Sequence, residues 1–208
     1  MAHSASFWNR IATKYSKSPI ADEAAYEKKL SISREYFTPE SELLEIGCGT
    51  GSTAILHAPH AKHIDAVDIS ENMIDIARSK AESEGINNID FRVLDSDDLQ
   101  VAAESKDAVL ALSLLHLVED KEALMAKVHA ALKPSGVFIT STACIADFMA
   151  WMKYILPVGR ALRLLPFVKV FSADELRASM KAAGFEILYD WQPAKNKGLF
   201  MVAKKSDS

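Results

Sequence analysis

The sequence predicts an α/β fold: a doubly wound, mostly parallel, seven-stranded sheet with helices on both faces and an antiparallel hairpin strand at one edge. Three features predict it. Strand-like and helix-like patterns alternate through the middle of the chain, which makes successive strands parallel and covers both faces with helices. A glycine-rich turn, with Gly47, Gly49 and Gly51, joins the first strand to its helix. Two closing strands are separated by the loop 193–197, too short for a crossover and suited to antiparallel pairing.

Taken in order, residues 1–40 read as a helical lead-in whose second helix, about 21–36, stops at the Thr38-Pro39 turn signal. The first strand is 42–46, and a helix starts near Ser52. The second strand is 63–68; Ser70 is placed to cap the helix 71–84, and Gly85-Ile86-Asn87-Asn88 breaks the chain after it. The third strand is 89–94. The fourth, 107–113, is an almost continuous apolar run, as expected where both faces are covered. A helix over 121–132 stops at Lys133-Pro134-Ser135-Gly136, and the fifth strand is 137–142. Ser172-Ala173-Asp174-Glu175 has capping-box spacing and opens a helix that ends at Ala183-Gly184. The closing strands are 186–191 and 198–204.

At 208 residues and 49% hydrophobic, the chain suits one domain, 1–208, with a substantial core. Its net charge of −4 lacks the basic surplus with which proteins neutralise phosphates, so nucleic acid is not an expected partner. Two cysteines, Cys48 and Cys144, make no disulfide framework and fit a reducing, cytoplasmic setting. Residues 1–10 are polar and lack a signal-peptide core, and no apolar run reaches the roughly 18–20 residues that span a bilayer.

The turn Glu45-Ile46-Gly47-Cys48-Gly49-Thr50-Gly51 carries the first chemical signal. Glycines there admit unusual dihedrals and let a ligand approach the backbone, beside the free N–H groups of a helix start. Asp68 ends the second strand, 17 residues after Gly51, where a carboxylate can accept both hydroxyls of an adenosine ribose. Dinucleotide enzymes share this pairing, but their fingerprint spaces the third glycine one residue later; here Ser52 stands in that place. An NAD-dependent oxidoreductase is therefore the lesser alternative.

A Gly-x-Gly-x-Gly turn preceded by the acid Glu45 resembles motif I of class I (Rossmann-like) S-adenosylmethionine-dependent methyltransferases, and the likeness runs from about Phe7 to Lys204. Asp68-Ile69-Ser70-Glu71-Asn72-Met73 resembles the family's segment after strand two, which implies that Ile69 and Met73 border the adenine. Asp95-Ser96 stands where family members hold the adenine amino group, and Leu112-Ser113-Leu114-Leu115-His116 where they meet the methionine part of the cofactor. Leu132-Lys133-Pro134-Ser135-Gly136 is similar to the family's Leu-Lys-Pro-Gly-Gly turn, and residues 7–15 resemble a lead-in of small-molecule members such as the ubiquinone/menaquinone enzymes. The resemblance implies S-adenosyl-L-methionine as cofactor, held by Tyr15, Glu45, Gly47, Cys48, Gly49, Gly51, Asp68, Ile69, Met73, Asp95, Ser96, Leu112 and Ser113. It implies a small-molecule methyl acceptor, since the motifs of amino-methylating, cytosine-methylating and metal-dependent catechol enzymes are missing.

No obligate catalytic residue is identifiable, so a catalytically silent cofactor-binding subunit that supports a partner stays open. His116, at the carboxyl edge of the sheet, is the candidate base, and a histidine that merely packs beside the cofactor is the other reading. Trp8 and Tyr15 either close over the methionine moiety or pack a helix on the domain. Cys48 reads as a spacer in the turn. His57, His60 and His63 recur every third residue, but Pro59 interrupts any helical face, so no metal is expected.

Residues 144–171 form an apolar stretch in which Phe148, Trp151, Met152 and Ile155 fall on one helical stripe. Lys153, Arg160, Arg163 and Lys169 against Asp147 make it a net +3, which leaves −7 on the rest of the chain. One reading is a lid insertion over a lipophilic or anionic acceptor, with peripheral membrane contact as a variant; the other is a core helix with solvated arginines.

Overall fold

Apolar side chains that alternate between the two faces of each strand pull the sheet to the middle of the molecule. The computed structural model describes residues 2–161 and 165–206, with the backbone alone at 2, 3, 157, 158, 160 and 161. The strands are β1 (Glu42–Ile46), β2 (His63–Asp68), β3 (Ile89–Val93), β4 (Lys106–Leu112), β5 (Leu132–Thr142), β6 (Phe185–Trp191) and β7 (Leu199–Lys205). They form one seven-stranded sheet in the order β3-β2-β1-β4-β5-β7-β6. The first five are parallel, while β7 runs antiparallel between β5 and β6. Strand order reverses between β1 and β4, and the carboxyl ends of strands at such a switch point open a crevice.

The helices are α1 (Ala2–Ser16), α2 (Glu23–Arg34), α3 (Ser52–His57), α4 (Glu71–Ser83), α5 (Lys121–Ala131), α6 (Ala146–Met149), α7 (Met152–Ala161) and α8 (Ala173–Ala182). Leu43 and Leu44 of β1 show how the period of two builds two cores. Leu43 packs with Ile64, Ile139 and Phe200, under Ile55 of α3 and Ile74 of α4. Leu44 packs on the opposite face with Val109 and Phe138, under Met125 of α5 and Leu176 of α8. Each such side chain, fully buried, contributes roughly 1.5–3 kcal/mol. Helix starts follow their caps: Asp22, Ser70, Asp120 and Ser172 each accept a backbone N–H of the first turn, and Ser172 with Glu175 closes the expected capping box.

One segment differs from the sequence expectation, and in another the exposure bears on an open alternative. The Lys133-Pro134-Ser135-Gly136 turn does not precede β5 but is bulged out of it. Leu132, fully buried, already pairs with Lys106, and the register then jumps so that Ala108 pairs with Val137. Burial of Leu132 outweighs the turn signal, and Ser135 takes a left-handed φ of 63° to absorb the extra residues. The stripe on 144–171 is not core: Trp151 is 57% exposed and Ile155 53%. Arg163 of that segment lies outside the described residues, as does the side chain of Arg160. No described helix is long and apolar enough to cross a membrane.

Gly51 opens α3 with φ 74°, and a Cβ there would sit 2.7 Å from Cβ of Ala77 and 3.0 Å from Phe91 Cε1. Left-handed strain of about 1–2 kcal/mol and overpacking of about 1–3 kcal/mol should add. Gly51→Ala is expected to lose about 2–5 kcal/mol of stability in urea unfolding; an unchanged midpoint would show that α4 moves aside without cost.

Candidate active site

The crevice is organised by the turn after β1. Gly47 and Cys48 both donate their N–H to the carbonyl of Val67, at 2.7 and 3.0 Å. Asp68 then clasps the same turn from the end of β2. One carboxylate oxygen accepts the Gly49 N–H and the other the Ser70 N–H, each at 2.9 Å. Ser70 is thereby free to cap α4, accepting the Met73 N–H at 3.2 Å, so Asp68 does not compete for that task. Gly47 and Gly49 hold φ of 72° and 53°, which a side chain would strain. A Cβ on Gly49 would find only Tyr15, at 4.0 Å, so the backbone lies open to the crevice.

Two cavities meet at this turn. The first, of about 150 Å³, reaches from Asp68, Ile69 and Met73 to Asp95 and Ser96. The second, of about 500 Å³, lies under the amino-terminal helices and includes Glu45, Cys48, Tyr26, Lys29 and Ser141. Tyr15, Gly47, Gly49, Leu112 and Ser113 line both, so these five residues form the junction. Ser113 holds a left-handed φ of 59° while its N–H donates to Ser141 at 2.6 Å. Strained backbone of this kind costs about 1–3 kcal/mol and clusters at functional positions.

Helix α1 packs on α4 with Ala12 buried, and Asn9 ties it to the start of that helix. Asn9 Oδ1 accepts from the Ser70 hydroxyl at 2.6 Å and from the Asn72 N–H at 3.2 Å, while the Asn9 carbonyl accepts from the Asn72 amide. That contact sets Trp8 against the first cavity and Tyr15 at the junction, with their rings edge to face at 6.4 Å.

Two acids dominate the electrostatics. Glu45 is 3% exposed and its Oε2 has no hydrogen-bond partner. Burial, and then the charge of Asp68, push its pKa up to about 8. Burial raises Asp68 as well, opposed by its two backbone N–H donors. Burial, with both acids nearby, holds the Cys48 thiol well above its usual value, which makes it inert as a nucleophile and suits a spacer.

Of the residues singled out in the sequence, Tyr15, Gly47, Gly49, Asp68, Ile69, Met73, Asp95, Ser96, Leu112 and Ser113 come together around the first cavity. Glu45 and Cys48 stand in the second. Gly51 lines neither; its place is the contact between α3, Ala77 and Phe91. His116 also lines neither, and burial lowers its pKa to about 4. Phe148 and Trp151 line neither, whereas Phe167 reaches the first cavity. His57, His60 and His63 fall on a helix, a proline-containing turn and a strand, not on one face. His63, Asp65 and Asp90 do approach within 4.8 Å, but Asp65 is bound to Lys106 and Arg92. Sequence reasoning missed Tyr26, Lys29, Ser141 and Lys197 because helix α2 and the β6–β7 loop meet only in three dimensions.

The methyltransferase domain family matches residues 43–136, which hold the turn, Asp68, Asp95 and Ser113. A ubiquinone biosynthesis O-methyltransferase of Coxiella burnetii is 27% identical over 164 residues, covering 74% of this chain and 69% of that one. One from Azorhizobium caulinodans is 31% identical over 150 residues, covering 70% and 58%. An S-adenosylmethionine-dependent methyltransferase from Mesorhizobium loti superposes with a TM-score of 0.74 at 21% identity, over 88% of this chain and 99% of that one. A geranyl diphosphate C-methyltransferase from Streptomyces coelicolor, solved with geranyl diphosphate and S-adenosyl-L-homocysteine, gives 0.72 at 15% identity, over 88% and 80%. With the glycine turn, its clasping acid and the strand order on one scaffold, residues 43–136 resemble a methyltransferase domain, and the chain has the fold of solved S-adenosylmethionine-dependent methyltransferases.

Proposed function

We propose that the chain transfers a methyl group from S-adenosylmethionine to a small-molecule acceptor, lipophilic or anionic. The meeting of the two cavities at Tyr15, Gly47, Gly49, Leu112 and Ser113 carries this reading, because it brings a niche lined by Asp68 and Asp95 and a second chamber to one point. The fit is supported by the open backbone at Gly49 and by the unpartnered Glu45 oxygen. Bound there, S-adenosylmethionine supplies a methyl group on a positively charged sulfur.

In this reading Asp68, with two of its roughly four acceptor positions used by Gly49 and Ser70, turns the others to the ribose hydroxyls. Ile69 and Met73 border the adenine, and Asp95 and Ser96 hold its amino group. Glu45, facing the amino group of the methionine moiety, gives up its proton and pairs with that cation. Tyr15 and Ser113 bound the point of transfer. Alignment supplies much of the acceleration, since well-oriented reactants gain roughly 7–11 kcal/mol over free encounter. Phe167 covers the first cavity from the 144–171 segment, which fits a lid over that end. Both cysteines are free, which supports a cytoplasmic setting. The names of the quinone-pathway relatives support an oxygen as the accepting atom.

S-Adenosylhomocysteine should raise the melting temperature and NAD should not; calorimetry showing the reverse would sink the proposal. Asp68→Ala should weaken S-adenosylhomocysteine binding by about 1.5–3 kcal/mol. It should also cost stability, because the Gly49 and Ser70 N–H groups lose their acceptor; an unchanged affinity would limit Asp68 to the clasp.

Glu45 makes a pH prediction. Its folded pKa of about 8 lies above the ordinary 4.5, so the folded state binds the extra proton between those values. The contribution of Glu45 to the stability of the free protein is therefore fully present below the ordinary value and is lost as pH rises through 8. Glu45→Gln should flatten that fall while weakening S-adenosylhomocysteine binding; a parallel pH profile in the variant would show that Glu45 is not the buried acid responsible.

His116→Ala should retain cofactor affinity and turnover, since the ring lines neither cavity. Loss of turnover with cofactor affinity intact would make it a catalytic base after all.

A further inference from the structure

The second cavity holds more than the glycine turn explains. Its far wall is built from α2, the preceding segment 18–22, the end of β5 and the β6–β7 loop. Pro19, Ile20 and Leu30 make part of that wall apolar. Two cations line it, and of these Lys197 is the one paired with an acid, Asp22. Lys29 Nζ donates to the Ser141 hydroxyl at 2.9 Å and, among the described residues, has no carboxylate within ion-pair distance. Burial lowers its pKa, opposed by the charge of Asp22, which itself pairs with Lys197 across the mouth at 3.9 Å. Tyr26, one turn before Lys29, spends its hydroxyl on Thr53 at 3.0 Å.

Because Ser141 Oγ accepts from Lys29, its own O–H is left to donate outward. An ammonium and a hydroxyl side by side then present two donors to a pair of oxygens, the arrangement a carboxylate fills. A half-buried cation without a counter-ion has paid desolvation that an anionic ligand offsets. Glu45 on β1 is level with Leu110 of β4 and Ile139 of β5, so the Ser141 backbone lies two strand spacings across and two residues further along, roughly 11–12 Å from that of Glu45.

We propose that the second cavity is the acceptor chamber and that Lys29, with Ser141, selects acceptors carrying a carboxylate. This rests on the methyl-transfer reading and names the substrate class for it. The acceptor enters between Pro19 and Ile20 on one side and the β6–β7 loop on the other. Its anionic end is held at Lys29, which points its body back toward the junction at Leu112 and Ser113, where transfer occurs.

The test uses the full chain loaded with S-adenosylhomocysteine and a matched pair of probes, protocatechuate and catechol, which differ by one carboxylate. Titration calorimetry should show protocatechuate binding at least tenfold more tightly. Lys29→Gln should abolish that preference while leaving S-adenosylhomocysteine affinity within about twofold, and Lys29→Arg should keep it. Three results would overturn the inference: no carboxylate preference in the parent, a preference that survives Lys29→Gln, or a tenfold loss of S-adenosylhomocysteine affinity in Lys29→Gln. The last would give the cation to the cofactor's carboxylate. Failure of the parent to bind S-adenosylhomocysteine at all is a separate outcome, which removes the methyl-transfer reading and this inference with it.

Discussion

The clasp of Asp68 on the turn after β1 is the constraint on which the site depends. One carboxylate, through one N–H on each side, ties Gly49 of the turn to Ser70 at the start of α4. The Val67 carbonyl repeats the tie one residue earlier, taking the Gly47 and Cys48 N–H groups. The turn is thus held at the end of β2 as well as by its own strand. A chain in which three glycines occupy left-handed backbone has little local preference for one shape, so that shape must be imposed from outside. Hydrogen bonds to a charged acceptor are the stronger kind, about 1.5–3 kcal/mol each, and they do that here while leaving acceptor capacity toward the cavity.

The same clasp fixes what covers the site. Ser70, relieved of competition from Asp68, caps α4 and also binds Asn9. Asn9 orients α1, and α1 carries Trp8 and Tyr15 to the crevice. A line of contacts therefore runs from a strand end to the aromatic wall of the cavities without passing through the core. Glu45, in contrast, is an acid kept in the core at a cost in stability, its oxygen unpartnered and its proton retained to about pH 8. Such a group is understandable where a cationic ligand completes it.

The 144–171 segment shows how pattern and packing separate. Its stripe of Phe148, Trp151, Met152 and Ile155 has the spacing of a buried helix face, yet Trp151 and Ile155 stand in solvent. Both faces of the sheet are covered by α3 with α4 and by α5 with α8, and α7 turns Leu156 inward rather than Trp151 or Ile155. The segment touches the site through Phe167 instead, from the irregular stretch beyond α7.

Sequence by itself determined the class of fold, the glycine turn, Asp68 and the caps at Ser70 and Ser172. These are local: they depend on period-two or helical spacing, on residues that tolerate positive φ, and on side chains that bond within a turn of themselves. Tertiary structure alone decided which glycine faces the crevice and which packs a helix, since Gly49 and Gly51 differ in what stands opposite, open crevice or Ala77 and Phe91. It decided that Leu132 pairs in the sheet despite the proline and glycine after it, because a fully buried leucine outweighs a turn preference. It also decided the chamber around Lys29, whose walls come from α2, β5 and the β6–β7 loop. Residues 29, 141 and 197 share no periodicity. They meet because the sheet order places β5 beside β7 and beneath the amino-terminal helices, a fact of long-range packing that no local pattern encodes.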